Sequence, residues 1–170
     1  MGILTHEEIK KLISQEQLKI DPLYPDAVRE NGLDLRIGGE YAVYVREGVV
    51  VRPCELEDAR HLFRIVKAEE VVIPPRNFVL LTTEEHVEMP EDVVGLANLR
   101  STLARHGLVI PHTVVDADFE DNITIEVDNK SPNTIVLKRE MQILHLVLIR
   151  AEGRATYTGK YHMQLPRRRG

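Results

Sequence analysis

Short apolar runs separated by turn residues fill most of this chain. From Tyr41 onward the runs read YAVYV, VVV, FRIV, VVIPP, FVLLTT, VVGLANL, LVIPHTVV, NITIEV, TIVL and QILHLVLI, all rich in β-branched residues. Nine prolines and ten glycines supply the punctuation. This spacing predicts an all-β sandwich, barrel or jelly roll, not alternating βαβ units.

Before Tyr41 the period changes. Ile9, Leu12 and Ile13 form a helical stripe, and Thr5 with Glu8 has the spacing of a capping box, so a short helix is expected over residues 6–15. Pro22 and Pro25 interrupt 18–30. The stretch ENGLDLRIGG then couples an Asn-Gly turn signal to alternation through Leu33, Leu35 and Ile37. Asp34 and Arg36 read as the polar face of a strand leaving that turn. Two stretches stand outside the β pattern: residues 53–61 suit a turn of helix or a loop, and RSTLARHG leaves room for one helical turn after Ser101.

The clearest alternation lies at 123–128. Ile123, Ile125 and Val127 share one face of the expected strand, and Thr124, Glu126 and Asp128 share the other. Glu126 is therefore aimed away from the core. Upstream, residues 99–121 concentrate polar groups that a core does not need: a basic knot of Arg100, Ser101, Thr102 and Arg105, then the acidic group Asp116, Asp118, Glu120 and Asp121.

Length and composition narrow the function. The 170 residues suit one domain, 1–170. The chain is 43% apolar and 29% charged, and no segment reaches the ~18 uninterrupted apolar residues of a membrane span. Charges interrupt the first apolar residues, unlike a secretory signal, so a cytoplasmic protein is expected with no membrane partner. Cys54 is the sole cysteine, and the seven histidines show no H-x-x-x-H or H-E-x-x-H spacing. No zinc site and no metal held by protein side chains is expected. A net charge of −5 argues against a nucleic-acid partner. A small anion remains open to a local cluster of cations and N–H groups, with Mg²⁺ sharing the charge of a triphosphate.

Four segments together resemble the dCTP deaminase and dUTPase superfamily: N-G-L-D-L-R-I-G at 31–38, R-S-T-L-A-R at 100–105, V-D-A-D-F-E-D-N-I-T-I-E at 115–126 and G-K-Y-x-x-Q at 159–164. They occur in the family's order, and the match is that of an archaeal-like member. The resemblance implies a mainly β, dUTPase-like barrel with a short N-terminal helix, assembled as a homotrimer with active sites between subunits. It also implies hydrolytic deamination of dCTP to dUTP and ammonia.

The same resemblance distributes roles. Arg100, Ser101, Thr102, Leu103, Ala104 and Arg105 match the family's phosphate-binding and catalytic turn. Asp116 matches the residue that holds the deoxyribose 3′-hydroxyl. Thr124, Ile125 and Glu126 match the strand end that faces substrate, with Glu126 as general base and acid. Tyr157, Lys160 and Gln164 match the C-terminal segment that closes over the triphosphate. Cytosine deamination fits these residue types: a carboxylate raised in pKa by burial can take a proton from water and return it to the ring and to ammonia. Ser101 suits holding the water, and Arg105 suits orienting Glu126.

Departures from the family pattern keep alternatives open. Asp118 and Asp121 stand where two glycines are usual, Glu140 where another is usual, and His145 where many members carry Gln. Asp in a left-handed turn is expected to cost up to about 1 kcal/mol. The loop from Arg105 to Asp116 is shorter than in bacterial deaminases. A dUTPase, in which Asp116 activates water for attack on the α-phosphorus, is one alternative. A bifunctional enzyme giving dUMP and pyrophosphate is another, and a nucleotide-binding regulator a third.

Overall fold

A computed structural model describes residues 2–45, 48–51 and 62–159. In chain order the elements are β1 (Gly2–Ile3), α1 (His6–Ser14), β2 (Lys19–Asp21), β3 (Gly32–Tyr44), β4 (Phe63–Lys67), β5 (Glu70–Ile73) and β6 (Phe78–Glu88). They continue as β7 (Val93–Leu99), α2 (Ser101–Ala104), β8 (Leu108–Val109), β9 (Thr113–Val115), β10 (Glu120–Asn129), β11 (Ile135–Lys138) and β12 (Gln142–Arg150). Both helices fall where the sequence places them, and the fold is mainly β. The run 49–51 forms no strand; Val49, Val50 and Val51 are exposed, so β propensity there has no packed face to act on. The stretch 53–61 lies outside the described residues.

Helix α1 turns Ile9 and Leu12 into the core. Thr5 is its N-cap, but its side chain makes no capping hydrogen bond, so the expected capping box does not form. Tertiary structure takes its place: the His6 N–H donates to the Glu30 carbonyl at 2.9 Å.

Ten strands join one curled sheet, with the path β8-β10-β6-β3-β12-β7-β9; β1 adds to β12, β2 to β6 and β4 to β3, while β5 and β11 pair separately. Strand β3 is central and covered on both sides. Gly32 is needed at its start, because a Cβ there would stand 2.2 Å from the Leu146 carbonyl oxygen of β12. The core gathers Leu33, Leu35 and Ile37 of β3, Leu81 of β6, Ile123, Ile125 and Val127 of β10, and Leu144, Leu146 and Leu148 of β12. Each fully buried aliphatic side chain contributes roughly 1.5–3 kcal/mol against exposure.

Two irregularities shape the polar side of this frame. Between β3 and β12, Arg36 pairs with Gln142, Leu35 with Leu144 and Asp34 with His145. Ile143 is thus an extra residue, and this bulge lets Gln142 and His145, three apart, share one face. Between β6 and β10 the register shifts from Asn122–His86 to Thr124–Thr82. The looped residues are held by Thr83, whose hydroxyl donates to the Glu85 carbonyl at 2.8 Å and accepts the Ile123 N–H at 2.9 Å.

Candidate active site

The basic knot is a single helical turn at the end of β7. The Arg100 N–H donates to the carbonyl of the bulged Ile143 at 2.9 Å, fixing where the turn starts. Leu103 buries its side chain, leaving Ser101, Thr102, Ala104 and Arg105 exposed. The turn ends at Gly107, whose φ of +89° and Cβ position 2.9 Å from Ser131 both require glycine. Its carbonyl accepts the Lys130 N–H at 2.9 Å, and β8 then pairs Val109 with Asp128. The far end of the turn is thereby tied to the end of β10.

Strand β10 shows the expected alternation. Ile123, Ile125 and Val127 are buried, Thr124 and Asp128 are half-buried, and Glu126 is exposed. Ile125, matched to the substrate face by resemblance, has its side chain in the core and offers a ligand its backbone only. Asp116, just after β9, is also exposed. Ala117 and Phe119 bury on either side of Asp118, which adopts φ +63°. The Asp118 carboxylate accepts the Tyr157 N–H at 3.1 Å, and the Phe119 and Tyr157 rings meet edge-on at 5.8 Å. Tyr157 is so held beside the Asp116 segment, while Lys160 and Gln164 lie outside the described residues.

Two expectations need correction within this single chain. Glu126 is exposed in this chain and not buried as expected. Among the described residues no hydrogen bond or ion pair joins Arg105 to Glu126. Both side chains are exposed, Arg105 just after α2 and Glu126 on β10.

What sequence reading missed lies directly behind the turn. Asp34 and Arg36, expected on a polar strand face, are 3% and 8% exposed, and Glu85 is fully buried. Asp34 binds the Arg100 guanidinium through one oxygen and the His145 Nδ1 at 2.8 Å through the other, with Arg29 at 3.6 Å. Arg100 also donates to the Gln142 side-chain oxygen, and Gln142 donates to Asp26 at 3.0 Å. Asp26 accepts from Arg36, whose guanidinium lies 3.9 Å from the centre of the Tyr24 ring. The hydrogen bond from Arg36 holds the Asp26 carboxyl below its ordinary range. Glu85 accepts the Arg36 N–H at 2.8 Å, but its other oxygen is 3.7 Å from the guanidinium; burial pushes this carboxyl up.

His86, Glu88 and Glu120 bring ligand atoms within 4.8 Å of one another across β6 and β10. Lys19 already holds Glu88 at 2.5 Å, and the group reads as surface ion pairing of adjacent strands.

The family model for dCTP deaminase-like proteins matches residues 3–151. The chain belongs to the dCTP deaminase-like family. A dCTP deaminase of Pyrobaculum islandicum is 77% identical over 162 residues, 95% of this chain and 92% of that protein. A dCTP deaminase of Caldivirga maquilingensis is 56% identical over 161 residues, 94% and 90% of the two chains. Among solved structures, the 2′-deoxycytidine 5′-triphosphate deaminase of Agrobacterium tumefaciens matches with a TM-score of 0.69 at 21% identity over 86% of this chain, which spans 46% of that chain's length. A dUTPase of Staphylococcus bacteriophage 80alpha matches with a TM-score of 0.53 at 17% identity, covering 84% and 88%. These two likenesses show the dCTP deaminase and dUTPase fold, and the family sets the frame in which Glu126 and the 100–105 turn are read. No helix among the described residues is long and apolar enough to cross a membrane.

Proposed function

We propose that this chain is a cytoplasmic dCTP deaminase that hydrolyses the C4 amino group of the cytosine ring, giving dUTP and ammonia. The observation that carries the reading is the outward carboxylate of Glu126, fixed by three buried neighbours on β10, in a chain of the dCTP deaminase-like family. Water adds to C4 while Glu126 takes its proton. Glu126 gives this proton to ring N3, then takes the proton of the new C4 hydroxyl and passes it to the amine; the C4–N bond breaks as C4=O forms, and ammonia leaves. The Ser101 hydroxyl and backbone groups hold the water in place of a metal. This assignment is supported by a sequence whose single cysteine, Cys54, cannot form the P-C-x-x-C piece of zinc deaminases.

The other assignments follow the exposed donors. Ser101, Thr102 and Arg105 contact phosphate oxygens, Asp116 the sugar hydroxyl, and Thr124 and the Ile125 backbone the base. Tyr157 sits where the C-terminal segment carrying Lys160 and Gln164 begins. Mg²⁺ is assigned to the triphosphate, because hydroxyl and guanidinium donors suit phosphate oxygens and a guanidinium repels a cation. We assign the working unit as a homotrimer with shared sites. This is supported by the exposure of Ser101, Arg105, Asp116 and Glu126 together and by the exposed apolar pair Leu96–Val114 beside the β9 sheet edge.

Paired substitutions test the roles. Glu126→Gln keeps shape and hydrogen bonding but removes the proton acceptor, so deamination should fall by at least ~10²-fold while dCTP still binds. Asp116→Asn should chiefly raise KM. Near wild-type ammonia release by Glu126→Gln would refute the mechanism; abolition of pyrophosphate release from dUTP by Asp116→Asn would point to the dUTPase alternative.

A further inference from the structure

The turn between β6 and β7 holds two distant parts of the chain at once. The Asp118 N–H donates to the Pro90 carbonyl at 3.2 Å, and the Met89 N–H donates to the Phe119 carbonyl at 2.8 Å. The segment after β12 is tied to the same turn. There the Ala151 N–H donates to the Asp92 carbonyl and the Ala155 N–H to the Glu91 carbonyl, both at 2.8 Å, and the Arg150 guanidinium donates to the Asp92 carboxylate at 2.6 Å. The two parts meet at Tyr157. Its N–H donates to the Asp118 carboxylate at 3.1 Å, and its ring meets Phe119 edge-on. Gly159 passes so close to the hydroxyl end of that ring that a Cβ would not fit. Asp118 itself lies in the turn that Asp116 opens, where the Asp116 carbonyl accepts the Phe119 N–H at 3.3 Å. It holds φ +63°, a conformation that glycine adopts without the cost a Cβ brings. What its side chain adds is the carboxylate on Tyr157.

We propose that Asp118 is a positioning residue for nucleotide binding: its carboxylate clasps the Tyr157 backbone, so that the Tyr157 ring stands beside the Asp116 turn before a nucleotide arrives. The consequence for binding rests on the deaminase reading above, in which Tyr157 and Asp116 serve one nucleotide; the clasp itself does not. The backbone bond at Ala155 lies two residues before Tyr157, and the Asp118 carboxylate carries the anchoring on to it. An ionised acceptor makes the stronger bond. A ring in place for only part of the time lowers the apparent affinity by that fraction, and holding it in advance removes the cost of ordering it from the binding step. Chemistry at C4, once the nucleotide is bound, is left unchanged.

The test combines steady-state kinetics on dCTP with amide hydrogen exchange. Glycine suits the left-handed backbone at 118, so Asp118→Gly removes the carboxylate without straining the turn. This variant should raise KM about five- to tenfold and change kcat by less than about threefold. Exchange of the Tyr157 amide should quicken by about tenfold, with no matching change in α1. Asp118→Asn keeps an oxygen acceptor on a residue that tolerates left-handed backbone, so it should lie closer to wild type than Asp118→Gly in both KM and exchange. Wild-type KM in Asp118→Gly, or wild-type exchange at its Tyr157 amide, would overturn the proposal. A wild-type protein that releases no ammonia from dCTP would refute the functional reading, and exchange at Tyr157 in Asp118→Gly would still decide the clasp.

Discussion

Asp118 and Glu140 hold left-handed backbone, φ +63° and +65°, at two positions where the family usually has glycine. At Asp118 the side chain compensates by accepting the Tyr157 N–H, whereas Glu140 is exposed and contributes its N–H to Ile37. Asp121 behaves differently: it lies inside β10 without positive φ, so its carboxylate needs no left-handed turn and instead caps the next N–H at 2.7 Å. Glu140→Gly should therefore be more stable than Glu140→Ala by about 1 kcal/mol, the scale of the left-handed penalty for a residue with a Cβ. Thermal unfolding of the two variants checks this, and equal midpoints would show that the turn relaxes. Residue spacing made these sites legible. Alternation equally revealed Glu126, but it could not reveal Asp34 or Arg36, because period two says which residues share a face and not whether that face is covered.

At the scale of elements, β3 and β12 explain that failure. A strand with one wet face would leave Asp34 and Arg36 in water; β3 runs through the centre of the sheet, and its polar residues are closed in by β12, β6 and the segment before β3. The bulge at Ile143 was illegible for the same reason, since a single extra residue leaves no mark on hydrophobic period until the partner strand is known. The capping box failed in the opposite direction, a local signal overridden by the Glu30 carbonyl. Glu85 gives this buried network a pH signature. Its folded pKa is raised from an ordinary value of 4.5 by burial, so the folded state binds its proton more tightly than the unfolded one. Stability contributed by that proton is present below the unfolded pKa and lost as pH rises through the folded pKa. Glu85→Gln removes this dependence, so its midpoint minus that of wild type should grow as pH rises from about 4 toward 7. A constant or shrinking difference in melting scans would show that Glu85 is stabilised as an anion.

For the whole molecule, the decisive fact is exposure. Ser101, Arg105, Asp116 and Glu126 are all exposed, and no contact among the described residues closes them into a pocket. Fold and motif order were readable from the chain alone, while the enclosure of the site was not, because alternation and motif spacing say which side chains face outward and not what covers them. Sedimentation should give a trimer of the 19.4 kDa chain, and a stable, active monomer would remove the shared-site reading. The central claim is tested most directly by incubating the purified protein with dCTP and Mg²⁺ and separating dUTP, dUMP, pyrophosphate and ammonia. Deamination predicts ammonia and dUTP in equal amounts, with dUTP persisting. Binding of dCTP with no ammonia released would contradict it.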